Sequence, residues 1–295
     1  MAEYVIENEK LKLTVSTAGA EKRSLIRKSD GKELLWQADP AFWARTSPVL
    51  FPVVGQYRNK ISVYDGKEYT MGQHGFARDM EFDLEKQTDS ELWFSLKDTD
   101  KTHERYPFAF NLKIGYVLEN DTVNVVWNVI NTDYRIMYFS IGAHPAFNCS
   151  LDTYKLQFSK NGNVVKSSLI SEIIENDGSG CLSGRQKEIT PDPETGLLAM
   201  SDKLFSEDAL IFENEQADEV TLCDDNDMPV LNLKFDTKLF GIWSPVGKHA
   251  PFVCIEPWYG RCDRTDFSGR LEDREYGNSL NPGESFRRSY TIKIF

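Results

Sequence analysis

The sequence has few cysteines and no long apolar run. Its five cysteines are scattered through 295 residues without a CxxC pair, which argues against a zinc ribbon or a thiol redox motif. No stretch reaches the ~18 apolar residues of a membrane-spanning helix. The first residues, MAEYVIENEKLKL, lack the basic start and the apolar run of a signal peptide. We therefore expect a soluble, cytoplasmic protein with reduced thiols and no membrane partner.

Basic residues are scarce relative to acidic ones. Lysine and arginine total 34 against 46 aspartates and glutamates, which gives a net charge of −12. Such a surface repels phosphate backbones, so nucleic acid is not an expected partner. The composition leaves the choice between a monomer and a homodimer open.

The common catalytic motifs are missing. The sequence contains no glycine-rich phosphate loop, no HExxH and no GxSxG, so nucleotide-binding, zincin and α/β-hydrolase activities lack support. No cofactor is expected. The chemistry must come from four histidines, some carboxylates and arginines, and an aromatic content of 12%.

Alternating β-branched and aromatic residues are the dominant secondary-structure pattern of the sequence. LKIGYVL (112–118) and TVNVVWNVI (122–130) predict a hairpin. The pairs Asp30-Gly31 and Asp65-Gly66 have the composition of type I′ turns. Similar short runs continue to the C-terminus. The pattern predicts an all-β fold, a large antiparallel sandwich, in a single domain that spans residues 1–295.

Helical patterns are few and short. Only segments 170–178 and 200–206 are candidate helices. The polar, glycine-rich segment 176–196 has strand-like sequence on both sides. We therefore interpret it as a long surface loop of unknown role, not as a domain boundary.

Two histidines lie beside small residues at predicted strand edges. His74 is on the turn in MGQHGFARDMEF, and His144 in SIGAHPAFNCS precedes a proline, which requires an extended backbone. A lone histidine at a strand end is more often structural, but the repeated pattern favours functional roles for both. His103 and His249 sit among lysines and turn residues, and we interpret them as surface or loop residues.

Glu256 follows the apolar run VCI in PFVCIEPWYG. Partial desolvation should raise the pKa of its carboxyl and make it a better base near neutral pH. The structural alternative is a salt bridge to Arg261 or Arg264. Trp243 and Trp258 are flat apolar surfaces of the kind on which sugar rings stack, although aromatic residues at this density are more often core.

A metal site formed by His74, His144 and Glu256 is a further possibility, because two histidines and a glutamate can bind zinc. The three residues are far apart in sequence and carry no ligand-spacing signature. We therefore expect no metal.

Several segments together resemble the aldose 1-epimerase (galactose mutarotase) family, and within it the bacterial LacX-type branch. The matching segments are SPVLFPVVGQYRNK, QHGFARDMEF, GAHPAFN, EDALIFEN, VCIEPWYG and NPGESFRRSYTIKIF. They occur in the family's order along nearly the whole chain, and QHGFAR with GAHPAFN is the most specific combination. The resemblance implies a β-supersandwich that interconverts the α and β anomers of a free hexose, such as galactose or glucose.

The resemblance also implies roles for single residues. His144 would be the general acid, Glu256 the general base, His74 a group that binds and orients the sugar, and Asp208 a contact to a ring hydroxyl. The base removes the O1 proton while the acid protonates the ring oxygen, and the open aldehyde rotates about C1–C2 before it closes on the other face. Such chemistry needs no metal or cofactor.

The sequence departs from the family pattern in GQYRNKI, where Lys60 replaces a second arginine. Arg58, Lys60 and Arg78 are therefore candidates for the missing cation, with the two arginines ranked above the lysine. If the strand after Gly75 begins early, alternation would put His74 and Arg78 on one face, and the glycine would keep the backbone close to the ligand. The structural alternative for Arg78 is an ion pair with a neighbouring acidic residue.

Three other functions stay open. A hexose-6-phosphate 1-epimerase would share the QHGFAR motif but would need two or more converging cations. A non-catalytic carbohydrate-binding sandwich would need the aromatic residues but no acid–base pair. A metal-dependent hydrolase would lose its activity with a chelator. The pairing of His144 with Glu256 discriminates against the binding sandwich, and polarimetry on free and phosphorylated hexoses discriminates against the phosphate-specific epimerase.

Overall fold

The computed structural model describes residues 1–295, and β-strands form most of its regular structure. In chain order the first strands are β1 Glu3–Glu7, β2 Leu11–Ser16, β3 Glu21–Arg27, β4 Lys32–Glu33, β5 Val49–Leu50, β6 Ile61–Tyr64, β7 Lys67–Thr70, β8 Asp83–Gln87, β9 Glu91–Lys97, β10 Phe110–Glu119, β11 Thr122–Asn131, β12 Met137–Phe139 and β13 Ile141–Ala143. The remaining strands are β14 Ala146–Asn148, β15 Lys155–Lys160, β16 Asn163–Val164, β17 Leu169–Ile174, β18 Leu182–Ile189, β19 Leu197–Ala199, β20 Leu210–Phe212, β21 Glu219–Cys223, β22 Pro229–Phe235, β23 Leu239–Trp243, β24 Phe252–Tyr259, β25 Asn278–Leu280 and β26 Ser285–Ile294.

Helices are limited to single turns. One α-helical turn, α1, spans Asp100–His103, and the 3-10 turns span Arg58–Lys60, Ala77–Asp79, Asp202–Phe205 and Leu271–Asp273. None of the helices combines the length and the apolar character that crossing a membrane requires.

Two large sheets form the framework. One has ten strands in the order β16-β15-β21-β22-β26-β11-β10-β9-β8, with β19 beside β15. The other has eight strands in the order β18-β17-β20-β23-β24-β13-β5, with β14 beside β24. Every strand pair is antiparallel. The prediction of a large antiparallel all-β sandwich is confirmed.

The predicted hairpins are mostly present. Strands β10 and β11 pair over their full length across a two-residue turn. Asp65 and Gly66, between β6 and β7, both have positive φ angles, as a type I′ turn requires. At Asp30-Gly31 only the glycine has a positive φ, because four residues separate β3 from β4 there. The type I′ prediction is wrong at that second position.

The predictions for segments 170–206 need correction. Segment 170–178 is not helical, since it lies largely in β17, which pairs with β18 and β20. The predicted surface loop 176–196 contains β18. That strand forms an edge of its sheet, so its sequence is polar and lacks the alternation of a half-buried strand. Segment 200–206 holds only the 3-10 turn Asp202–Phe205.

Side chains from both large sheets meet in one core of 62 buried residues. Within β24, Val253 and Ile255 belong to this core, whereas Cys254 and Trp258 belong to smaller clusters. Successive side chains of a strand point to opposite faces. Glu256 therefore lies on the face of β24 that carries Cys254 and Trp258, turned away from the main core.

One lysine is buried where the four-stranded sheet β1–β4 meets the ten-stranded sheet. Lys22 is only 1% exposed, and its Nζ donates a hydrogen bond of 2.9 Å to the hydroxyl of Tyr290. The Nζ also lies 5.4 Å from the centroid of the Tyr116 ring. Burial lowers the pKa of the Lys22 ammonium to about 7, against the opposing effect of Glu21.

This burial predicts a stability that depends on pH. Between pH 7 and the ordinary lysine pKa of 10.5, the unfolded chain holds a proton on Lys22 that the folded chain has lost. The free energy of unfolding should therefore rise with pH in this window, by about 1.4 kcal/mol per pH unit for one proton. Urea titrations between pH 7 and 9.5 should show this contribution in the wild type and its loss in Lys22→Met. Replacement of the exposed Lys97 by Met is the matched control and should leave the pH slope unchanged.

Candidate active site

Glu256 lies in the middle of β24, a strand that pairs with β23, β13 and β14 in the eight-stranded sheet. Its side chain is 1% exposed. Two glycines on the neighbouring strands make room beside it for Trp258. A Cβ atom at Gly142 would lie 2.7 Å from the Trp258 ring, and one at Gly241 would lie 2.5 Å from it. The absence of side chains at these two positions thus allows the indole to lie flat within the pocket face of the sheet.

His144 sits between β13 and β14, where the chain turns through His144-Pro145. Its backbone N–H donates to the carbonyl of Pro48 at 3.2 Å. The Trp43 indole stacks on the imidazole, with ring centroids 4.7 Å apart and planes inclined by 28°. Trp243 meets the ring edge-on at 5.3 Å. The packing fixes the orientation of the imidazole.

The imidazole and the carboxyl meet at the base of a pocket. His144 Nε2 lies 3.4 Å from Glu256 Oε1, and the two side chains are 8% and 1% exposed. The second polar atom of each group, His144 Nδ1 and Glu256 Oε2, has no hydrogen-bond partner in the protein, and neither has Trp258 Nε1. Unpartnered buried polar atoms are costly and uncommon. Their concentration at one place indicates a site built to bind polar groups of a ligand.

Burial shifts the pKa of His144 and that of Glu256 in the directions that favour the neutral side chains. It lowers the pKa of the His144 imidazole to about 3, with a smaller effect of the nearby Arg78 charge. It raises the pKa of the Glu256 carboxyl well above its ordinary value, against the opposing effect of the nearby Trp258 indole N–H and with a smaller contribution from Asp208. Both shifts favour a neutral carboxyl beside a neutral imidazole, a pair that holds one proton in total. An imidazolium–carboxylate pair holds the same number, so the two forms differ only in the position of that proton.

His74 is the third polar group of the site. Its backbone has a φ of 62°, and its N–H donates to the carbonyl of Gly55 at 2.7 Å. The Gly55 N–H in turn donates to His74 Nδ1 at 3.1 Å. Burial lowers the pKa of this imidazole well below its ordinary value, and the nearby His144 contributes. A neutral ring that accepts at Nδ1 carries its proton on Nε2, so His74 is a neutral donor.

The role expected for Gly75 is corrected by the geometry. A Cβ atom at this position would lie 2.1 Å from the carbonyl oxygen of Phe51. The glycine therefore allows a close approach to the Phe51 backbone, whose carbonyl accepts hydrogen bonds from Phe76 and Ala77. It positions the His74 turn against the protein rather than against a ligand.

Arg78 lines the same pocket as His74, but not for the predicted reason. The segment Ala77–Asp79 is a 3-10 turn, and the next strand begins only at Asp83. Arg78 Nη2 donates to the carbonyl of Gln73 at 2.7 Å, and its Nε lies 3.9 Å from Asp79. Burial lowers the pKa of the guanidinium to about 10, with a contribution from Arg45, so Arg78 remains a cation at neutral pH.

The pocket has a volume of about 290 Å³ and brings together most of the predicted site residues. His74, Arg78, His144, Asp208, Trp243, Glu256 and Trp258 all line it. Lys60 lines a second, outer cleft instead. Arg58 lies in neither cavity, because its guanidinium is held on the carbonyl of Phe267 at 2.9 Å. Its ranking above Lys60 as the missing cation is not supported by this geometry.

The structure also shows the partners of the other charged residues that the sequence analysis considered. Arg261 pairs with Glu213 and Glu275, and not with Glu256. Arg264 pairs with Glu275 and Glu172. His103 and His249 lie outside the pocket, where they contact Asp98 at 2.8 Å and Asp152 at 3.0 Å.

One set of potential metal ligands overlaps the site. His144, Cys254 and Glu256 each present a ligand atom, all within 4.8 Å of one another. The sequence suggested His74 as the third ligand of such a site, whereas the set in the structure contains Cys254 instead. Burial raises the pKa of the Cys254 thiol well above its ordinary value. In the absence of a metal this residue is therefore a protonated thiol, whereas the thiolate is the metal-binding form of cysteine.

Among the pocket residues that sequence reasoning missed, Trp43 and Gln73 have the side chains best suited to contact a ligand. Trp43 lies in a loop, and Lys248 Nζ holds this loop by donating to the carbonyls of Ala41 and Phe42. The available signal was the position of Trp43 in DPAFWARTSP, a proline-containing segment without strand alternation. Gln73 immediately precedes His74 and could have been inferred from that position.

The sheet architecture with this pocket defines a protein of the galactose mutarotase type. The sequence matches the family model described as Aldose 1-epimerase over residues 2–291. The chain belongs to the aldose 1-epimerase family, as the motifs indicated.

Three relatives illustrate the similarity. Protein LacX (plasmid) of Lactococcus lactis subsp. lactis is 31% identical, over 98% of this chain and 98% of its own. The structure of a galactose mutarotase related enzyme from Lactobacillus acidophilus has a TM-score of 0.90 and 33% identity, with 100% of this chain and 97% of that chain covered. A galactose mutarotase-like protein from Lactobacillus casei has a TM-score of 0.90 and 29% identity, with both chains fully covered.

The shared proton of the pair can be tested by its effect on stability. Between pH 4.5 and 6.5, the ordinary pKa values of the two groups, the unfolded pair holds one proton on the imidazole. The folded pair also holds one, so the wild-type pair adds no pH slope. In Glu256→Gln the folded His144 is neutral and the unfolded one is charged. The free energy of unfolding should then rise with pH by about 1.4 kcal/mol per unit more than in the wild type.

His144→Asn should show the opposite sign. Its folded Glu256 keeps a proton that the unfolded carboxyl has released, so stability should fall with pH by a similar amount relative to the wild type. Chemical denaturation at several pH values measures all three slopes. Three equal slopes would contradict the pKa shifts of both groups.

Proposed function

We propose that this protein is an aldose 1-epimerase that interconverts the α and β anomers of a free hexose without a metal or a cofactor. The observation that carries this proposal is the pair His144–Glu256. Two proton carriers lie 3.4 Å apart, each with a second polar atom free for a ligand, at the base of a pocket with tryptophan walls.

The proposed reaction begins with the proton of the pair on His144. The Glu256 carboxylate removes the proton from the O1 hydroxyl of the sugar, while the His144 imidazolium protonates the ring oxygen. The C1–O5 bond breaks and C1 becomes an aldehyde. Rotation about C1–C2 exposes the other face, and the same two groups reverse their roles during closure. The protons balance, because each group ends with what it started with.

Burial assists the ring-opened stage of this cycle. After opening, Glu256 is protonated and His144 is neutral, which is the distribution that the low-polarity surroundings favour. The pair then carries no separated charge while the aldehyde rotates. The active site thus stabilises the intermediate relative to the ionic form of the pair.

The other pocket residues bind and orient the sugar. His74 Nε2–H is a neutral donor, and Arg78 is a fixed cationic donor. Asp208 can accept from ring hydroxyls. Trp43, Trp243 and Trp258 offer apolar faces to the C–H surface of a pyranose. Only the hydroxyl-binding groups discriminate between hexoses, so the preferred sugar depends on these side chains.

Removal of either proton carrier should abolish most of the activity. Glu256→Gln and His144→Asn should each lower kcat by a factor of about 10² to 10⁴, which is the usual range for general acid–base catalysis. Polarimetry starting from α-glucose or α-galactose measures the rate. Exchange between anomer signals in NMR measures it at equilibrium.

Matched substitutions outside the pocket separate chemistry from folding. Glu188→Gln, on the exposed edge strand, and His103→Asn should retain wild-type rates. Sugar binding should survive in Glu256→Gln, because the aromatic walls remain. A wild-type rate in that variant would remove the catalytic assignment and leave a carbohydrate-binding sandwich as the function.

A free sugar fits the pocket better than a hexose 6-phosphate. Arg78 is the only cation among the residues that line the inner pocket, which also contains Asp208 and Glu256. Phosphate recognition needs two or more converging donors of positive charge. We therefore expect kcat/KM for glucose or galactose to exceed that for glucose 6-phosphate by at least tenfold in the same polarimetric assay. A preference for the phosphorylated sugar would assign the chain to the other branch.

A further inference from the structure

Cys254 is a buried thiol that the proposed reaction does not use. It is 0% exposed and forms no disulfide. It lies two residues before Glu256 on β24, so the two side chains point to the same face of the sheet. Strand β14 pairs with β24 through Ala146 and Cys254, and this pairing brings the turn that carries His144 to the same place. Three potential metal ligands therefore converge from two strands.

The three side chains have nearly the spacing of ligands around one metal ion. One ligand atom from each of His144, Cys254 and Glu256 lies within 4.8 Å of the other two. His144 Nε2 and Glu256 Oε1 are 3.4 Å apart. Zinc binds such ligands at about 2.0–2.3 Å in tetrahedral geometry, which separates neighbouring ligand atoms by about 3.3–3.8 Å. Small movements of the side chains are enough to complete this geometry.

We propose that His144, Cys254 and Glu256 form an inhibitory site for a thiophilic divalent metal ion such as Zn²⁺. The ion occupies the imidazole nitrogen and the carboxylate that the acid–base cycle uses. The inhibition rests on the proposed function, whereas the binding of the ion does not. Coordination requires a thiolate, a carboxylate and a neutral imidazole, so the protons that these groups carry pass to the solvent. No electron is transferred.

The charges of the ligands suit a buried site. A thiolate and a carboxylate together neutralise the two positive charges of the ion, and a neutral imidazole adds none. The complex is therefore neutral overall, which limits the free-energy cost of placing an ion in a desolvated pocket. Arg78 opposes a cation here, since its charge acts on His144. The carboxylate of Asp208, which lines the same pocket, acts against the arginine.

The pocket supplies a route for the ion and a free coordination position. His144 and Glu256 line the pocket, whereas Cys254 does not. An ion that enters the pocket thus meets the imidazole and the carboxyl first, and the thiol completes the set from the sheet. His144 Nδ1 and Glu256 Oε2 have no partner in the protein, so no hydrogen bond holds these atoms in place. Three protein ligands leave the fourth position of a tetrahedral ion to water or a sugar hydroxyl.

The mixed ligand set determines which metals bind. Thiolate and imidazole ligands favour Zn²⁺ and Co²⁺, whereas Mg²⁺ and Ca²⁺ prefer sites built from oxygen ligands. A general effect of divalent cations on a protein with a net charge of −12 would not distinguish between these ions. Inhibition by zinc but not by magnesium is therefore the first requirement of the proposal.

The activity test adds metal to the wild-type protein. Saturating ZnCl₂ should lower the rate of anomer interconversion at least tenfold, and an excess of EDTA should restore it. MgCl₂ at the same concentration should leave the rate unchanged. A loss of activity with EDTA alone, or equal inhibition by the two salts, overturns the proposal.

Two cysteine variants locate the site, each compared with its own metal-free rate. Cys254→Ala should raise the ZnCl₂ concentration for half-inhibition at least tenfold, because one of three protein ligands is lost. Cys223→Ala removes a buried thiol from β21 in the ten-stranded sheet. It is the matched control and should keep the wild-type value. Equal zinc sensitivity in the wild type and in Cys254→Ala overturns the site.

A binding measurement keeps the metal site separate from the proposed function. CoCl₂ added to the wild type should produce the thiolate-to-cobalt charge-transfer absorption, and ZnCl₂ should displace it. The band should persist in Cys223→Ala and disappear in Cys254→Ala. His144→Asn is a second variant, which should weaken cobalt binding at least tenfold while the thiol is retained.

The two measurements fail in different ways. If the wild type epimerises no sugar, the proposed function fails, and cobalt absorption alone decides whether the metal site exists. If the wild type shows no charge-transfer band, the metal site is overturned and the proposed function stands. A cobalt or zinc complex that leaves the rate of anomer interconversion unchanged overturns the inhibitory role.

Discussion

The burial of a carboxyl beside an imidazole is the constraint on which the rest of the site depends. Glu256 lies in the middle of a central strand, where a charged carboxylate without a partner is strongly disfavoured. Arg261 and Arg264 do not pair with it, since both contact other acidic residues. Desolvation instead raises the pKa of the carboxyl, 3.4 Å from an imidazole whose pKa burial lowers. Both shifts favour the neutral form of the two adjacent groups.

The fold tolerates the buried pair His144–Glu256, because neither residue belongs to the main hydrophobic core. Within β24, the residues that belong to the 62-residue core lie on one face, and Glu256, which lines the pocket, lies on the other. Because successive side chains of β24 point to opposite faces, Val253 and Ile255 face the core whereas Glu256 and Trp258 face the pocket. A site with unpartnered polar atoms can then be maintained by a fold whose hydrophobic packing lies elsewhere.

The sequence was sufficient for the fold class and for most residues of the site. Strand alternation predicts the sheets, the positions of His74 and His144 at predicted strand edges single them out, and the apolar run VCI before Glu256 indicates its burial. It could not predict the edge strand β18, because a strand with one partner and a solvated face needs no alternation. It could not rank Arg58 against Lys60 either. Their positions depend on the 3-10 turn Arg58–Lys60, in which two residues have positive φ angles, and local sequence does not specify the direction of such a turn.

Trp43 shows why the remaining part of the site lay beyond sequence reasoning. The residue lies about a hundred positions before its stacking partner His144, in a loop without any periodic pattern, so only the folded chain brings the two rings together. The same holds for the loop 175–180, which carries no motif and yet forms the wall that joins the inner pocket to the cleft. Trp243, Glu256 and Trp258 come from strands, which sequence patterns describe well. Much of the shape of the outer cleft comes from the loop 175–180, whose position follows from tertiary contacts.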